Sequence, residues 1–308
     1  MSASRPVAAA EPAEPVDGEN SNDVVDVAGA APPRRRLSLR AAGPSAWSPE
    51  LAFAIETANA AGAVLMEHYE RLDWVNHKSA RDVVTAADHR SEELVIAAIR
   101  GRFPEDAILA EETGAHAAAT AEQPNGRTWV IDPLDGTVNY ANGLPVFCVS
   151  IGFVVDGVPT AGVVVDPTRA ETFAATVDGP ATLNDREIRA STKDKLSDYV
   201  VSLSLAGRSV SSRMRAIRRE IRIARSMGSA SLGLAYVGNG RFDAFIQESG
   251  LSAWDIAAAG LIAERAGARV TSFDGSTWYD AARATRGAGI VAAPPTFQPH
   301  LVRLATTR

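Results

Sequence analysis

Apolar residues recur at steps of three and four from Leu51 through Ile55, Ala58, Gly62, Leu65, Met66 and Tyr69, inside "SPELAFAIETANAAGAVLMEHY". Such spacing lines up one apolar stripe, so the stretch predicts an amphipathic helix of about five turns. Ser48 is placed to cap it, and Pro49 suits its first turn. A second stripe, Leu94, Val95, Ala98, Ile99 and Phe103, follows a short extended piece in "DVVTAADHRSEELVIAAIRGRF". Gly101 and Pro104 mark its end.

The period then changes from helical to extended in "AILAEE", "TWVID", "FCVSIGFVVDGVPTAGVVVD" and "ETFAATV". Asp156-Gly157 between valine-rich runs is a strong hairpin signal. Residues 106–178 therefore predict an antiparallel sheet with the two helices laid against it, closed by the turn residues of "GPATLND". From about Ile188 strands and helices alternate, from "YVVSLSLAG" through "SSRMRAIRREIRIA", "SASLGLAYVGNG", "RFDAFIQ", "AWDIAAAGLIAERAG" and "ARVTSF" to "AGIVAAP". That alternation predicts an α/β layer with some parallel pairing. The expected fold is α+β and α/β, a layered αβαβα sandwich. Its expected parts are a tail at 1–46, an N-terminal α+β domain at 47–187 and a C-terminal α/β domain at 188–308.

Composition narrows the class. The chain has 308 residues, 46% of them hydrophobic, enough for a large core. A net charge of -6 argues against a sequence-independent nucleic-acid binder, which needs a basic surface, so no nucleic-acid partner is expected. The single cysteine, Cys148, lies in an apolar run and reads as a buried structural thiol in a reducing compartment. No apolar run reaches the roughly 18 residues that span a bilayer. A cytoplasmic protein with no membrane partner is the expectation. Residues 1–46 are rich in Ala, Pro and acids and read as a disordered tail. Their "PPRRRLSLR" has the look of a twin-arginine signal, but "AAGPSAW" follows in place of an apolar segment. The arginine run at 213–225 reads as the solvated face of a helix.

The chemistry concentrates in "WVIDPLDGTVNY". A hydrophobic strand ends at Asp132, Pro133 bends the chain, and Asp135 can project into the same space. Two close carboxylates repel unless a cation lies between them, and hard divalent metals take carboxylate and carbonyl oxygens, which makes the Leu134 carbonyl a further candidate. Gly136 lets backbone approach a ligand, and the amides of Gly136 and Thr137 suit an anion. The same motif also fits an ordinary turn with a helix cap. Glu111 and Glu112 follow the strand "AILA". Asp255 has the Ser-x-x-Asp spacing of a capping box, and Asp88 lies where a helix start alone would favour an acid.

With these residues in order, the chain resembles the inositol monophosphatase family of magnesium-dependent, lithium-sensitive phosphatases over roughly residues 48–295. The motifs are "DVVTAAD", "AEE", "DPLDGT" and "WDIAAAG". The resemblance implies that Glu111, Asp132 and the Leu134 carbonyl hold one metal, and that Asp132, Asp135 and Asp255 hold a second, within a set of about two to three Mg²⁺ ions. It implies that Asp88 and Thr137 orient the attacking water, with Glu111 assisting, and that Gly136 and Thr137 hold the phosphate. Gly228, Ser229 and Ala230 resemble a substrate-contacting turn, Lys78 the lysine before the first motif, and Glu248, seven residues before Asp255, the acid that contacts substrate hydroxyls. Ala110, Val138, Tyr140 and Asp185 depart from the usual family residues without removing a candidate ligand. The implied activity is hydrolysis of a small polyol phosphate such as inositol monophosphate by a homodimer. Histidinol phosphate, fructose 1,6-bisphosphate and 3'-phosphoadenosine phosphate are alternative substrates, and a silent phosphate-binding module is the non-enzymatic alternative.

Overall fold

The computed structural model describes residues 45–71, 75–79, 82–119, 125–207, 209–280 and 287–307. The expected tail lies outside these except for Ser45 and Ala46. Residues 42–308 form one compact unit.

The chain opens with helix α1 (Ser48–His68). Ser48 is its first helical residue, not its cap: Trp47 occupies the cap without a side-chain bond, and the Ser48 hydroxyl donates back to the Ser45 carbonyl at 2.7 Å. The buried stripe also differs from the expected one. Small residues, Ala54, Ala58, Ala61 and Gly62, face the sheet with Leu65, while Met66 is exposed. Small side chains let the helix axis lie close to the strands, so the bulkier Leu51 and Ile55 fall at the margin of the contact. A hairpin, β1 (Val75–Ser79) and β2 (Asp82–Thr85), leads to α2 (Ala86–Arg102), whose buried face mixes Val95 and Ile99 with the polar Asp88, Ser91 and Glu92.

The first sheet contains β3 (Ala107–Ala110), β4 (Gly114–His116), β5 (Arg127–Asp135), β6 (Cys148–Val155), β7 (Val158–Asp166), β8 (Glu171–Thr176), β9 (Thr182–Leu183) and β10 (Arg186–Glu187). Its order is β10-β9-β8-β7-β6-β5-β3-β4. It is antiparallel except for β3 and β5, which run parallel. Short α3 (Thr137–Ala141) follows β5 directly. "GPATLND" is not only turn, since it carries β9 into a last hairpin. Asp156 and Gly157 turn the β6–β7 hairpin with φ of +49° and +80°, the pair of positive values that a two-residue turn demands.

The second sheet is built from β11 (Val200–Ser204), β12 (Ile223–Arg225), β13 (Ala244–Leu251), β14 (Arg269–Ser272) and β15 (Ala288–Ala293), in the order β12-β11-β13-β15-β14. β11 is parallel to both of its neighbours, as the strand and helix alternation predicts. Helix α4 (Val210–Glu220) stops short of the expected end, because Ile223–Arg225 leave it to form edge strand β12. Arg213 on α4 is buried, against the expectation of a solvated face. Helices α5 (Ala230–Gly238) and α6 (Ala253–Arg265) are buried almost all round. A last helix, α7 (Gln298–Thr306), has no counterpart in the sequence reading.

Three apolar clusters fix the layer order. One joins α1 and α2 to the first sheet, the next packs α5 and α6 between both sheets, and the third sits under α4 and α7 on the far face of the second sheet. The result is the expected αβαβα arrangement. The middle layer is tight where α6 crosses β6 and β7: a Cβ on Gly162 would come within 2.6 Å of the Ala258 Cα. Backbone cannot yield there as a flexible side chain would. Gly162→Ala is therefore expected to destabilise the fold by about 1–3 kcal/mol, measured by urea unfolding.

Candidate active site

Asp132 and Asp135 lie three residues apart, which on a regular strand would put them on opposite faces. They do not end there. Asp132 pairs with Ser150 and Asp135 with Cys148, so three steps along β5 answer two along β6. The extra residue is a bulge at Pro133-Leu134, and it brings both carboxylates to one side. Ligand oxygens of Asp132, Asp135 and Asp255 all lie within 4.8 Å of one another. Burial pushes the Asp132 carboxyl well above the usual range, and the charges of Glu111, Asp135 and Asp255 push it further. Asp132 also shares a hydrogen bond with Glu111, which places Glu111 beside the cluster, although outside the group of three.

Asp135 is held in place from the second sheet. The Ser229 hydroxyl donates to its Oδ2 at 2.8 Å, the Ser231 amide to Oδ2 at 2.6 Å and the Ala230 amide to Oδ1 at 3.2 Å, all at the start of α5. Burial raises its pKa, and these bonds oppose the rise. Gly228, Ser229 and Ala230 line a cleft of about 400 Å³ together with Asp135 and Asp255. The hydroxyl of Ser229 and the amide of Ala230 serve Asp135, a role the sequence reading does not assign them. Below Asp135 lies the fully buried Cys148, its Sγ 3.8 Å from Oδ2.

Asp88 and Asp255 each stand at the third position of a helix. Asp88 Oδ2 accepts from the Thr85 amide at 2.8 Å, and its Oδ1 lies 3.2 Å from the Thr137 hydroxyl. Asp255 Oδ2 accepts from the Ser252 amide at 2.5 Å. The helix-cap reading thus holds for both residues, and Asp255 also joins the acid cluster. Burial is the main cause of a rise in the Asp88 pKa to about 6. The Thr137 hydroxyl has a second acceptor, the Leu134 carbonyl, at 2.9 Å. Gly136, with φ of +98°, joins β5 to α3; a Cβ there would meet the Val146 carbonyl at 2.8 Å.

The remaining expected residues divide. Lys78 lies on β1, and its side chain is outside the described residues. Glu248 does not line the cleft: its carboxylate is gripped by Arg213 at 2.8 and 2.9 Å and also accepts from the Ala206 amide at 2.8 Å. The neighbouring Gln247 lines the cleft instead. Three supporting residues escape the sequence reading. Glu92 accepts from the Glu112 and Thr113 amides at 2.9 and 3.0 Å and so fixes the turn carrying Glu111. Ser91 donates to the Pro133 carbonyl at 2.9 Å. Asn139 donates to the Val146 and Met227 carbonyls at 2.7 and 2.8 Å, tying α3 to the Gly228 turn. The signal of Ser91 and Glu92 is polar residues on an apolar helical stripe, which pattern alone reads as surface.

The donor set, all carboxylate oxygen and mutually repelling, fits a hard divalent cation. Two outcomes follow. Ser229→Ala removes a hydroxyl that holds Asp135; metal affinity is expected to fall about 10–100-fold by calorimetric Mg²⁺ titration. In metal-free protein, the carboxyls of Asp88, Asp132 and Asp135 are raised above their unfolded values, so they bind protons that the unfolded chain has released. Stability present at low pH is therefore lost as pH rises; for Asp88 the window runs from 3.8 to about 6. Its contribution is on the order of 3 kcal/mol. Melting temperature should fall across that window in chelator, and saturating Mg²⁺ should flatten the decline.

Comparison with known proteins agrees with this geometry. The model of the inositol monophosphatase family matches residues 46–307. A relative named Nus factor SuhB, from Pasteurella multocida (strain Pm70), is 39% identical over 255 residues, covering 80% of this chain and 92% of its own. One named fructose-1,6-bisphosphatase/inositol-1-monophosphatase, from Thermotoga maritima, is 37% identical over 230 residues, 73% of this chain and 85% of its own. The solved extragenic suppressor protein suhB of Bartonella henselae superposes with a TM-score of 0.76 at 30% identity, covering 84% of this chain and 99% of that one. With relatives bearing the name Nus factor, the expectation from net charge of no nucleic-acid partner is not supported. No helix among the described residues is long and apolar enough to cross a membrane. The sequence match and the shared fold lead to one conclusion: the chain belongs to the inositol monophosphatase family.

Proposed function

We propose that the protein is a Mg²⁺-dependent phosphomonoesterase acting on a small polyol phosphate such as inositol monophosphate. The observation that carries this reading is the convergence of Asp132, Asp135 and Asp255 within 4.8 Å. Segment 47–187 supplies Asp88, Glu111, Asp132, the Leu134 carbonyl, Asp135, Gly136 and Thr137, and segment 188–308 supplies Asp255 and the Gly228–Ala230 turn.

Held by Glu111, Asp132, the Leu134 carbonyl, Asp135 and Asp255, about two to three Mg²⁺ ions would supply the positive charge that makes a phosphate dianion bindable and its attacking water more acidic. The chain's own groups do the rest. The Thr137 hydroxyl, set between Asp88 and the Leu134 carbonyl, orients a water in line with the ester bond. Asp88, with its pKa near 6, is mostly ionised at neutral pH and takes the proton as the water oxygen bonds to phosphorus. The amides of Gly136 and Thr137 face the phosphate oxygens. The phosphorus–oxygen bond to the alcohol breaks, and the released alkoxide is protonated from solvent. No side chain is phosphorylated.

Lithium inhibition, a homodimer and a cytoplasmic setting belong to the same proposal. A fructose 1,6-bisphosphatase reading is favoured by the name of the Thermotoga relative. Phosphate release across inositol, histidinol, fructose and nucleotide phosphates decides between them. In that panel Asp135→Asn is expected to lose at least about a hundredfold in kcat/KM while keeping its far-ultraviolet spectrum, since a transition-state contribution of several kcal/mol goes with the ligand. Retained Mg²⁺-dependent activity would remove Asp135 from the site.

A further inference from the structure

Helix α2 presents its buried polar groups in a fixed order. Asp88, Ser91 and Glu92, spaced i, i+3 and i+4, share the buried face that also carries Val95 and Ile99. Each reaches a different segment: Asp88 meets the Thr137 hydroxyl, Ser91 the Pro133 carbonyl in the β5 bulge, and Glu92 the turn after β3. That turn is short. Ala110 pairs with Gly114, so only Glu111, Glu112 and Thr113 connect β3 to β4, and Gly114 closes the turn with φ of +80°. The Glu111 amide donates to the Ile131 carbonyl at 3.2 Å, which ties the turn to β5 one residue before Asp132. The next two amides, of Glu112 and Thr113, converge on one carboxylate and take separate oxygens of Glu92. Consecutive amides in a tight turn make a concave donor surface that selects an anion. Here the anion is an internal side chain, 1% exposed, and no basic group pairs with it among the described residues.

We infer that Glu92 is a positioning residue for Glu111: by filling the turn with its carboxylate it governs the cation that Glu111 and Asp132 would share, separately from the cation held through Asp135 and Asp255. This rests on the metal-dependent phosphatase reading above. Glu92 is not itself a ligand, because both of its oxygens are committed to the turn. When Glu111 and Asp132 are both ionised they repel, so a loosened turn lets Glu111 move away from the cluster. A glutamine at 92 would fill the same volume with one acceptor and one donor, and the donor would face an amide N–H. Asp135 has a different support, the three bonds from the start of α5, which no part of α2 supplies. The two cation positions therefore answer to different parts of the fold. Asp88 and Glu92 lie one helical turn apart, a rise of about 6 Å, so α2 also sets the spacing between the group that meets Thr137 and the turn that carries Glu111.

The test needs no substrate. In Glu92→Gln, hydrogen exchange at the Glu112 and Thr113 amides, read by NMR, is expected to quicken about tenfold or more. Calorimetric Mg²⁺ titration of the same variant is expected to show one binding step weakened about 10–100-fold, and Ser229→Ala to weaken a different step. The same step weakened in both variants, or no change in Glu92→Gln, would overturn the inference. A weakened step with both amides unmoved would reduce the effect to lost charge and overturn the positioning role. The unmodified protein gives a second measurement that does not depend on the variant folding: saturating Mg²⁺ is expected to slow exchange of these two amides more than exchange at the Asp156-Gly157 turn, because coupling acts in both directions. Equal slowing at the two turns counts against it. These shifts in a protein that releases no phosphate would support the role of Glu92 and count against the phosphatase reading alone.

Discussion

Three acids that repel one another, drawn from strand β5 and helix α6, are forced together, and two of them, Asp132 and Asp135, are buried. Close, buried carboxylates are unfavourable in isolation, so the surrounding structure has to hold them. The bulge in β5 aims two of them to one side, and the start of α5 clamps Asp135 with three hydrogen bonds. The buried Glu92 secures the turn that puts Glu111 beside Asp132. These bonds hold the carboxylates in place against their mutual repulsion.

The layered architecture makes the convergence possible. Helix α6 packs so closely on β6 and β7 that glycines face it, and that closeness brings its first turn, with Asp255, over the end of β5. The hydrogen bonds from Asn139 to two carbonyls, one before β6 and one before α5, join the turn at Gly136 to the turn at Gly228. Packing sets the distances, and a few buried polar bonds set the angles.

Local features were legible in the sequence and context-dependent ones were not. The Asp-Gly hairpin, the strand ending at Asp132 and the strand and helix alternation beyond residue 188 all follow from near-neighbour chemistry. The motif order also pointed to the acids that converge. What escaped were positions where tertiary packing reverses a local signal. The buried side of α1 follows small size and not hydrophobicity, so Met66 faces solvent. Arg213 looked like one surface arginine among several, yet it is buried and paired with Glu248. Ser91 and Glu92 occupy an apolar stripe because their partners are backbone groups distant in sequence.

Asp88 and Asp255 each spend one carboxylate oxygen on starting a helix. An asparagine in either place keeps an oxygen that can accept from the cap amide and gives up the charge. The molecule therefore stands one atom's exchange from a copy of itself that keeps the helix start and loses the charge. Selection on foldedness alone cannot tell the two apart.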